Sequence, residues 1–142
     1  MKIGVGLIVI ANKTNRILTV RELFAKPIIM KEAGMVSFPI ETVKKGEEFA
    51  DTITRLMEEE MGIIMKEKFK FFCEPFMLIP NTQTLAAYMR VEDEFDIYPD
   101  DHRVEYSGWY STEDLMSDEF FTRVETRPIL KKLLCHCDGG VT

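Results

Sequence analysis

Long apolar runs alternate with short polar turns along most of the chain, a pattern that is typical of β-strands. Residues 3–11 are apolar almost without interruption, which predicts a strand buried on both faces. The polar turn at 12–15 predicts a hairpin that leads to a second strand at 16–20. Further strands are predicted at 35–39, 68–79, 82–91 and 104–110.

One segment changes the spacing of its apolar positions from two residues to four. Its apolar residues recur at every fourth position, at Phe49, Ile53, Met57 and Met61. This spacing predicts one amphipathic helix over 47–61. Gly62 follows at the position where a glycine commonly ends a helix. Two more helical segments are predicted, at 111–115 and 126–137.

The same helix carries a run of carboxylates near its end. Glu60 falls inside the apolar stripe, while Glu59 lies about 100° away at the edge of that stripe. Glu58 lies about 160° from Glu60 and is predicted to face solvent. A carboxylate on a core-facing stripe is costly unless a partner or a ligand compensates it. Two adjacent carboxylates therefore suggest a hard divalent cation such as Mg²⁺, which takes oxygen ligands.

Length and charge narrow the functions that this helix can serve. The chain has 142 residues, of which 46% are hydrophobic and 30% charged. We expect a single domain over 1–137 and a disordered tail at 138–142. A net charge of −6 argues against binding to a nucleic-acid polymer, which needs Lys and Arg to neutralise phosphates. A small phosphorylated ligand stays compatible with this charge if metal ions supply the positive charge.

The three cysteines do not predict a disulfide framework, because their number is odd and they are sparse. Cys135-His136-Cys137 could be a metal motif, but structural zinc takes four ligands and the sequence has no second Cys-His cluster. No apolar run approaches the roughly 18 residues of a membrane span. The apolar start lacks a small-residue cleavage site. We therefore expect a cytoplasmic protein with no membrane partner.

The spacing around the helix resembles the Nudix box. That family pattern runs Gly, five residues, Glu, seven residues, Arg-Glu, an aliphatic residue, any residue, Glu-Glu, any residue, Gly and an aliphatic residue. The chain matches it at seven positions, which are Glu47, Arg55, Met57, Glu59, Glu60, Gly62 and Ile63. It departs at two positions, where Glu41 replaces the opening Gly and Leu56 replaces the Glu that follows the Arg.

The resemblance implies an α/β fold, a Nudix-like α/β/α sandwich around a mixed β-sheet. It also implies hydrolysis of a nucleoside diphosphate linked to another group, with Mg²⁺ as cofactor and Mn²⁺ as the second candidate. The partner would then be a small, nucleotide-like phosphorylated substrate. A homodimer is compatible with the exposed strand edges that such a sheet would have.

The resemblance also implies roles for particular side chains. Glu59 and Glu60 would hold the metal, and Glu47 would be a further ligand or would support the loop before the helix. Arg55 would orient a neighbouring carboxylate through a charge-assisted hydrogen bond. Glu47 and Arg55 therefore count as candidate catalytic residues as well.

The departure at Leu56 requires a base from outside the box, because leucine neither binds metal nor activates water. Glu105 is the first choice, because it stands four residues before Trp109 on the last predicted strand, where the resemblance implies an additional Glu on the metal side. The other candidates for the base are Glu92, Glu94 and His102. A further hypothesis is that Glu41 approaches the metal from the loop side and restores part of the missing charge.

Three functions stay open at this point. The first is a hydrolase that is weakened by its altered box. The second is a catalytically impaired Nudix-fold protein that binds a nucleotide or a protein partner. The third is a structural α/β domain whose resemblance to the family is coincidental.

Overall fold

Residues 1–136, the part of the chain that the computed structural model describes, form eight strands and three α-helices. The strands are β1 (Lys2–Ala11), β2 (Ile17–Glu22), β3 (Val36–Ser37), β4 (Ile40–Thr42), β5 (Lys70–Phe71), β6 (Phe76–Ile79), β7 (Thr82–Val91) and β8 (Val104–Tyr110). The helices are α1 (Phe49–Leu56), α2 (Thr112–Met116) and α3 (Thr126–His136). A short 3₁₀ helix spans Pro27–Ile29.

All eight strands join one mixed sheet, and β1 is its central strand. One edge of β1 pairs in parallel with β7 along its whole length, from Lys2 opposite Thr82 to Ala11 opposite Val91. The other edge pairs antiparallel with β2 near one end and with β4 near the other. Strands β3 and β8 extend the sheet from β2, while β5 and β6 extend it from β7.

Both faces of the sheet are covered, which explains why β1 is apolar at nearly every position. Leu7 and Val9 on one face belong to an apolar core with Ile53 and Leu56 of α1. The alternate residues of β1 face a second core, formed with α3 by Ile8, Ile10, Ile129, Leu130 and Leu133. This arrangement confirms the predicted α/β/α sandwich around a mixed sheet.

The predicted strand at 35–39 is in fact two short strands, β3 and β4. Pro39 separates them, because it has no backbone N–H to continue the ladder. Its carbonyl accepts a 2.9 Å hydrogen bond from the N–H of Leu7. The chain thereby passes from β2 to β1, and this crossing carries Glu41 to the centre of the sheet.

The other predicted elements differ mainly at their ends. Strands were expected at 82–91 and 104–110, and β7 and β8 have these bounds. The long strand expected at 68–79 is interrupted and forms β5 and β6. Helix α3 is described to His136, so Cys137 and the tail expected at 138–142 lie outside the described residues. Within residues 1–136, no helix combines the length and the hydropathy that a membrane crossing requires.

The central helix changes its winding before it ends. Residues Phe49–Leu56 are α-helical, and Met57–Met61 continue as a π-helical turn that Gly62 closes in the left-handed conformation with φ of 71°. The turn leaves Glu58 exposed, Glu59 half-buried and Glu60 buried, in the order that the periodicity predicted. π-Helical turns within helices are frequent at functional sites.

Candidate active site

Three carboxylates from separate parts of the chain converge at one end of the sheet. Glu41 lies on β4, Glu60 on the π-helical turn and Asp101 in the segment between β7 and β8. Their nearest carboxylate oxygens all lie within 4.8 Å of one another. Glu41 and Glu60 are buried, and each has one carboxylate oxygen without a hydrogen-bond partner among the described residues. Because hard divalent cations prefer oxygen ligands, this donor set fits Mg²⁺ or Mn²⁺.

Backbone hydrogen bonds fix Asp101 beside the π-helical turn. The N–H groups of Asp100 and Asp101 both donate to the carbonyl of Glu59, each at 2.9 Å. The N–H of Tyr98 donates to the carbonyl of Met61 at 3.0 Å. The last carbonyls of a helix lack partners within it, so the 92–103 loop satisfies them and is positioned by them.

Gly62 permits this close approach of the loop to the helix. A Cβ atom at this position would lie 2.1 Å from the carbonyl oxygen of Tyr98, which no other residue could tolerate without movement. Its positive φ also disfavours every residue with a Cβ atom. The box glycine is therefore needed for packing against the loop as well as for ending the helix.

Arg55 connects the helix to the strand and loop that precede it. Its Nε and Nη2 atoms each donate a 3.0 Å hydrogen bond to Glu47. Its Nη1 atom lies 3.2 Å from Glu41 and 3.3 Å from Glu59. Its Nη2 atom also donates to the carbonyl of Thr42. The guanidinium therefore holds Glu41 in place, while the catalytic role that the family resemblance implied for Arg55 stays a prediction.

Glu47 is occupied by contacts within the loop and helix. Besides Arg55, it accepts a 2.8 Å hydrogen bond from the hydroxyl of Thr52 and a 3.0 Å hydrogen bond from the N–H of Lys44. The hydrogen bond from Arg55 is the main reason that the pKa of Glu47 falls to about 2. Glu47 is thus held as a carboxylate at the start of the helix, and it is not a member of the three-carboxylate group.

The three-carboxylate group is electrostatically strained without a cation. Burial, followed by the negative charges of Asp101, Glu41 and Glu22, raises the pKa of Glu60 to about 8. Burial and the nearby carboxyl group of Glu59 raise the pKa of Glu41, although Arg55 opposes this shift. The side chain of Arg103 instead lowers the pKa of Asp101 through a hydrogen bond. A bound cation would favour the charged forms of Glu41 and Glu60.

The structure brings together some of the predicted metal ligands and not others. Glu60 belongs to the group, as predicted. Glu59 is a neighbour of Glu41, but its carboxylate is half-exposed and is bonded to Arg55. The hypothesis that Glu41 approaches from the loop side agrees with the geometry. The roles of Glu47 and Glu59 as metal ligands stay predictions.

Glu105 lies apart from this group. Its exposed side chain forms a 3.1 Å ion pair with Arg21 on the neighbouring strand. Adjacent side chains on a strand point to opposite faces, and it is Val104 that lines the cavity beside the carboxylates. The role of Glu105 as the base stays a prediction, and its position gives it no direct contact with the carboxylate group.

Sequence reasoning missed Asp101 and a set of basic residues beside it. A cavity of about 70 Å³ opens at the carboxylates, large enough for an ion with a few waters or for a small anionic group. Its acidic wall includes Glu41, Glu60 and Glu22. Its cationic residues are Lys26, Lys31, Arg103 and Arg123. None of them lies in a periodic segment that faces the site, so the sequence carried no local signal for them.

Leu56 supplies no ligand at all. Its side chain is fully buried and packs in the apolar core between the sheet and α1. The carboxylate that the family pattern has here is therefore absent, and Glu41 adds a carboxylate at the other departure from that pattern.

Comparisons with known proteins agree with this fold. The model of the NUDIX domain matches residues 1–133. No curated protein matches the chain.

Several solved structures are similar to this one. The NUDIX domain of Shewanella oneidensis NrtR in complex with ADP ribose has 10% identity and a TM-score of 0.73, with 92% of this chain and 84% of that chain covered. A MutT from a study of Aliivibrio salmonicida and Vibrio cholerae has 19% identity and a TM-score of 0.70, with 94% and 97% covered. MutT from Methanosarcina mazei has 21% identity and a TM-score of 0.68, with 92% and 90% covered. At such low identities, the likeness shows a shared fold.

Proposed function

The chain belongs to the Nudix family, and we propose that it hydrolyses the pyrophosphate bond of a nucleoside diphosphate-linked substrate with Mg²⁺ or Mn²⁺ as cofactor. Glu41, Glu60 and Asp101 would hold the cation, with Glu59 close to it. The substrate would be a small nucleotide-like molecule. The ADP ribose in the Shewanella oneidensis NrtR structure is a compound of this class, which supports the proposal.

The observation that carries the proposal is the pair of buried carboxylate oxygens on Glu41 and Glu60. Neither oxygen has a hydrogen-bond partner among residues 1–136, and both side chains belong to the group that also contains Asp101. Leaving a buried charged acceptor unsatisfied is costly, because the group loses its hydration and gains nothing in return. A divalent cation shared by the three side chains would remove that cost.

The proposed reaction is the attack of water on a phosphorus atom of the substrate. In the reaction, the oxygen of water bonds to one phosphorus and the bridging P–O bond breaks. The departing phosphate keeps the bonding electrons, and a base accepts the proton of the water. When bound, the metal would neutralise phosphate charge and lower the pKa of the attacking water. Lys26, Lys31 and Arg103 line the same cavity and would bind phosphate oxygens.

A second candidate function is a binding protein with little or no hydrolytic activity. The observation in its favour is Leu56, which occupies the position of a family carboxylate and lies entirely within the apolar core. Loss of a general base typically lowers a rate by about 10²- to 10⁴-fold. Tight nucleotide binding without turnover would support this candidate.

The deciding experiment compares Glu60→Gln with Glu58→Gln in a hydrolysis assay. The substrates are nucleoside di- and triphosphates, sugar nucleotides and dinucleotides, each with Mg²⁺ and with Mn²⁺. Glu58 is a matched control, because it is an exposed carboxylate on the same helical turn. We expect turnover by the wild type and by Glu58→Gln, and loss of turnover in Glu60→Gln. Equal turnover in all three proteins would refute the assignment of Glu60.

The expected homodimer and cytoplasmic location stay predictions. Light scattering at several protein concentrations tests the first, and fractionation of cells that express the protein tests the second.

A further inference from the structure

A second cavity of about 50 Å³ adjoins the carboxylate cavity. The two cavities are neighbours, since five residues line both of them: Lys26, Ile29, Ile40, Thr42 and Arg123. The second cavity extends towards the start of β1 and β7, where Lys2, Thr82 and Thr84 complete its polar lining. It is much smaller than the roughly 300 Å³ of the smallest clefts that bury a drug-sized ligand. A base or a sugar would therefore not fit, whereas a phosphate-sized group would.

The charges that line this second cavity do not balance. Lys2, Lys26 and Arg123 carry positive charge and Glu125 carries negative charge, so the lining has a net charge of about +2. In the described part of the chain, neither lysine forms an ion pair with a carboxylate. The positive charge of Lys2 lowers the pKa of Lys26, and burial lowers it further. Lys2 and Lys26 therefore line a shared space in which Glu125 is the one carboxylate of the lining, and Glu125 is already bonded to Arg123.

Arg123 adds a buried and fixed cation to the exposed lysines of this cavity. The residue is only 8% exposed, and its Nε atom is buried without a hydrogen-bond partner among the described residues. Its Nη2 atom donates a 2.8 Å hydrogen bond to Glu125, while its Nη1 atom lies 3.7 Å from Glu22. Glu125 holds the guanidinium in place, and its other oxygen is also buried and unpaired. The free N–H of Arg123 is a donor without an acceptor.

We propose that the second cavity binds the terminal phosphate of the substrate, which makes nucleoside triphosphates, and not sugar nucleotides, the substrate class. This inference rests on the proposed function, because it takes the neighbouring cavity as the place where the pyrophosphate is cleaved. A terminal phosphate, which is substituted at one oxygen only, carries about −1.5 to −2 charges at pH 7, which matches the net charge of the lining. Each phosphate of a sugar nucleotide is substituted at two oxygens and carries a single negative charge, so it would leave one lysine uncompensated.

The test measures binding in the absence of metal, so that it does not depend on turnover. Isothermal titration in EDTA at low salt compares a nucleoside triphosphate, the same nucleotide with its terminal phosphate methylated, and ADP ribose. The proteins are the wild type, Lys26→Ala, the double variant Lys2→Ala/Lys26→Ala, and Lys68→Ala. Lys26 and Lys2 are exposed, so their replacement leaves the core intact. Lys68 is an exposed lysine outside both cavities and serves as the charge-matched control.

We expect Lys26→Ala to weaken binding of the triphosphate about tenfold, and the double variant to weaken it further. The methylated nucleotide and ADP ribose should bind more weakly to the wild type and should respond little to either substitution. Lys68→Ala should bind all three ligands as the wild type does. Equal losses for all three ligands, or no loss for the triphosphate, would overturn the proposal. Tight binding of inorganic phosphate that does not compete with the triphosphate would overturn it as well.

The hydrolysis assay separates this proposal from the one on which it rests. If the wild type turns over sugar nucleotides and Lys26→Ala changes no KM, the phosphate subsite is wrong while the hydrolase stands. If nothing is turned over but Lys26→Ala still loses the triphosphate, the hydrolase is wrong while the subsite stands. When both hold, Lys26→Ala lowers kcat/KM for the triphosphate, and the rise in KM is the larger part of that loss, because a subsite for the terminal phosphate binds ground state and transition state alike.

Discussion

Arg55 and Glu47 are joined by two hydrogen bonds of 3.0 Å, from Nε and Nη2 of the guanidinium to the two carboxylate oxygens. The same guanidinium reaches Glu41, which we assign as a metal ligand, at 3.2 Å. A side chain of the helix thus fixes the position of a carboxylate on a strand. Groups of this kind, which hold the ligands of a metal, typically change metal affinity or activity by about 10- to 100-fold when they are removed.

Arg55→Lys should therefore weaken Mn²⁺ binding and lower turnover by about 10- to 100-fold. Lysine keeps the charge but cannot form the two parallel bonds to Glu47. Calorimetric titration with Mn²⁺ measures the first effect. Arg16→Lys is the control, because Arg16 is an exposed residue in an ion pair with Glu94 and should tolerate the exchange. Equal metal affinities of Arg55→Lys and the wild type would contradict the proposed support.

The buried carboxyl of Glu60 should give the metal-free protein an unusual dependence on pH. Its pKa is about 8 in the folded state against 4.5 as the ordinary value. Between these values the unfolded chain loses a proton that the folded chain retains, so ionisation favours unfolding. The free energy of unfolding should therefore fall as the pH rises from about 4.5 to about 8. Urea denaturation in EDTA measures this slope, and Glu60→Gln should show a smaller one.

The affinity for Mg²⁺ should depend on pH as well. Because Glu60 must lose its proton to bind a cation, Mg²⁺ affinity should rise with pH up to about 8. Calorimetric titrations with Mg²⁺ at pH 6, 7 and 8 measure this dependence. At the lowest pH, binding of each ion should release about one proton. A Mg²⁺ affinity that does not change over this range would mean that Glu60 is not a ligand.

Gly62→Ala should disturb the site more than it disturbs the fold in general. The added Cβ atom would meet the carbonyl of Tyr98, and the displaced loop would carry Asp101 away from Glu60. Gly46→Ala is the matched control, since Gly46 also has a positive φ, of 81°, but has no atom within 4 Å of the added Cβ. Both variants should lose about 1 kcal/mol of stability from the backbone conformation. Only Gly62→Ala should lose further stability and weaken Mn²⁺ binding.

Whether Glu105 acts as the base can be tested by comparing its substitution with that of Asp101, a proposed metal ligand. Glu105 was expected from the sequence to be the base, whereas Asp101 lies within the carboxylate group. We expect Asp101→Asn to lower kcat by 10²-fold or more, and Glu105→Gln to change kcat little, because its ion pair with Arg21 is exposed. Initial rates at saturating Mg²⁺ measure both. A large loss in Glu105→Gln with intact metal binding would restore Glu105 as the base.

The sequence predicted the parts of the site that depend on local spacing. The four-residue periodicity placed Glu60 on the buried side of the helix and Glu58 in solvent, and it placed Gly62 at the helix end. These positions depend only on the winding of one helix, so a single segment contains the information. The π-helical turn did not change the order of exposure of these three glutamates.

The rest of the site depends on how distant segments meet. Asp101 stands in a loop with many acidic residues, and nothing in the local sequence distinguishes it from the others. Arg123 and Lys26 reach the second cavity from segments in which apolar residues do not recur at the spacing of a helix or a strand. The face of β8 that Glu105 occupies was also not predictable, because nothing in the local sequence reveals it. Its face follows from the pairing of β8 with β2, which is a long-range contact.

The pairing of β1 with β7 has a consequence for the newly made chain. β1 leaves the ribosome before the other strands of the sheet, and β2 and β4 can cover one of its edges soon afterwards. Its other edge waits for β7, which begins only at Thr82. During this interval a ten-residue apolar strand exposes unpaired backbone groups, and such an edge invites association with other chains. Chaperone demand during translation should therefore end when the residues of β7 have emerged and docked.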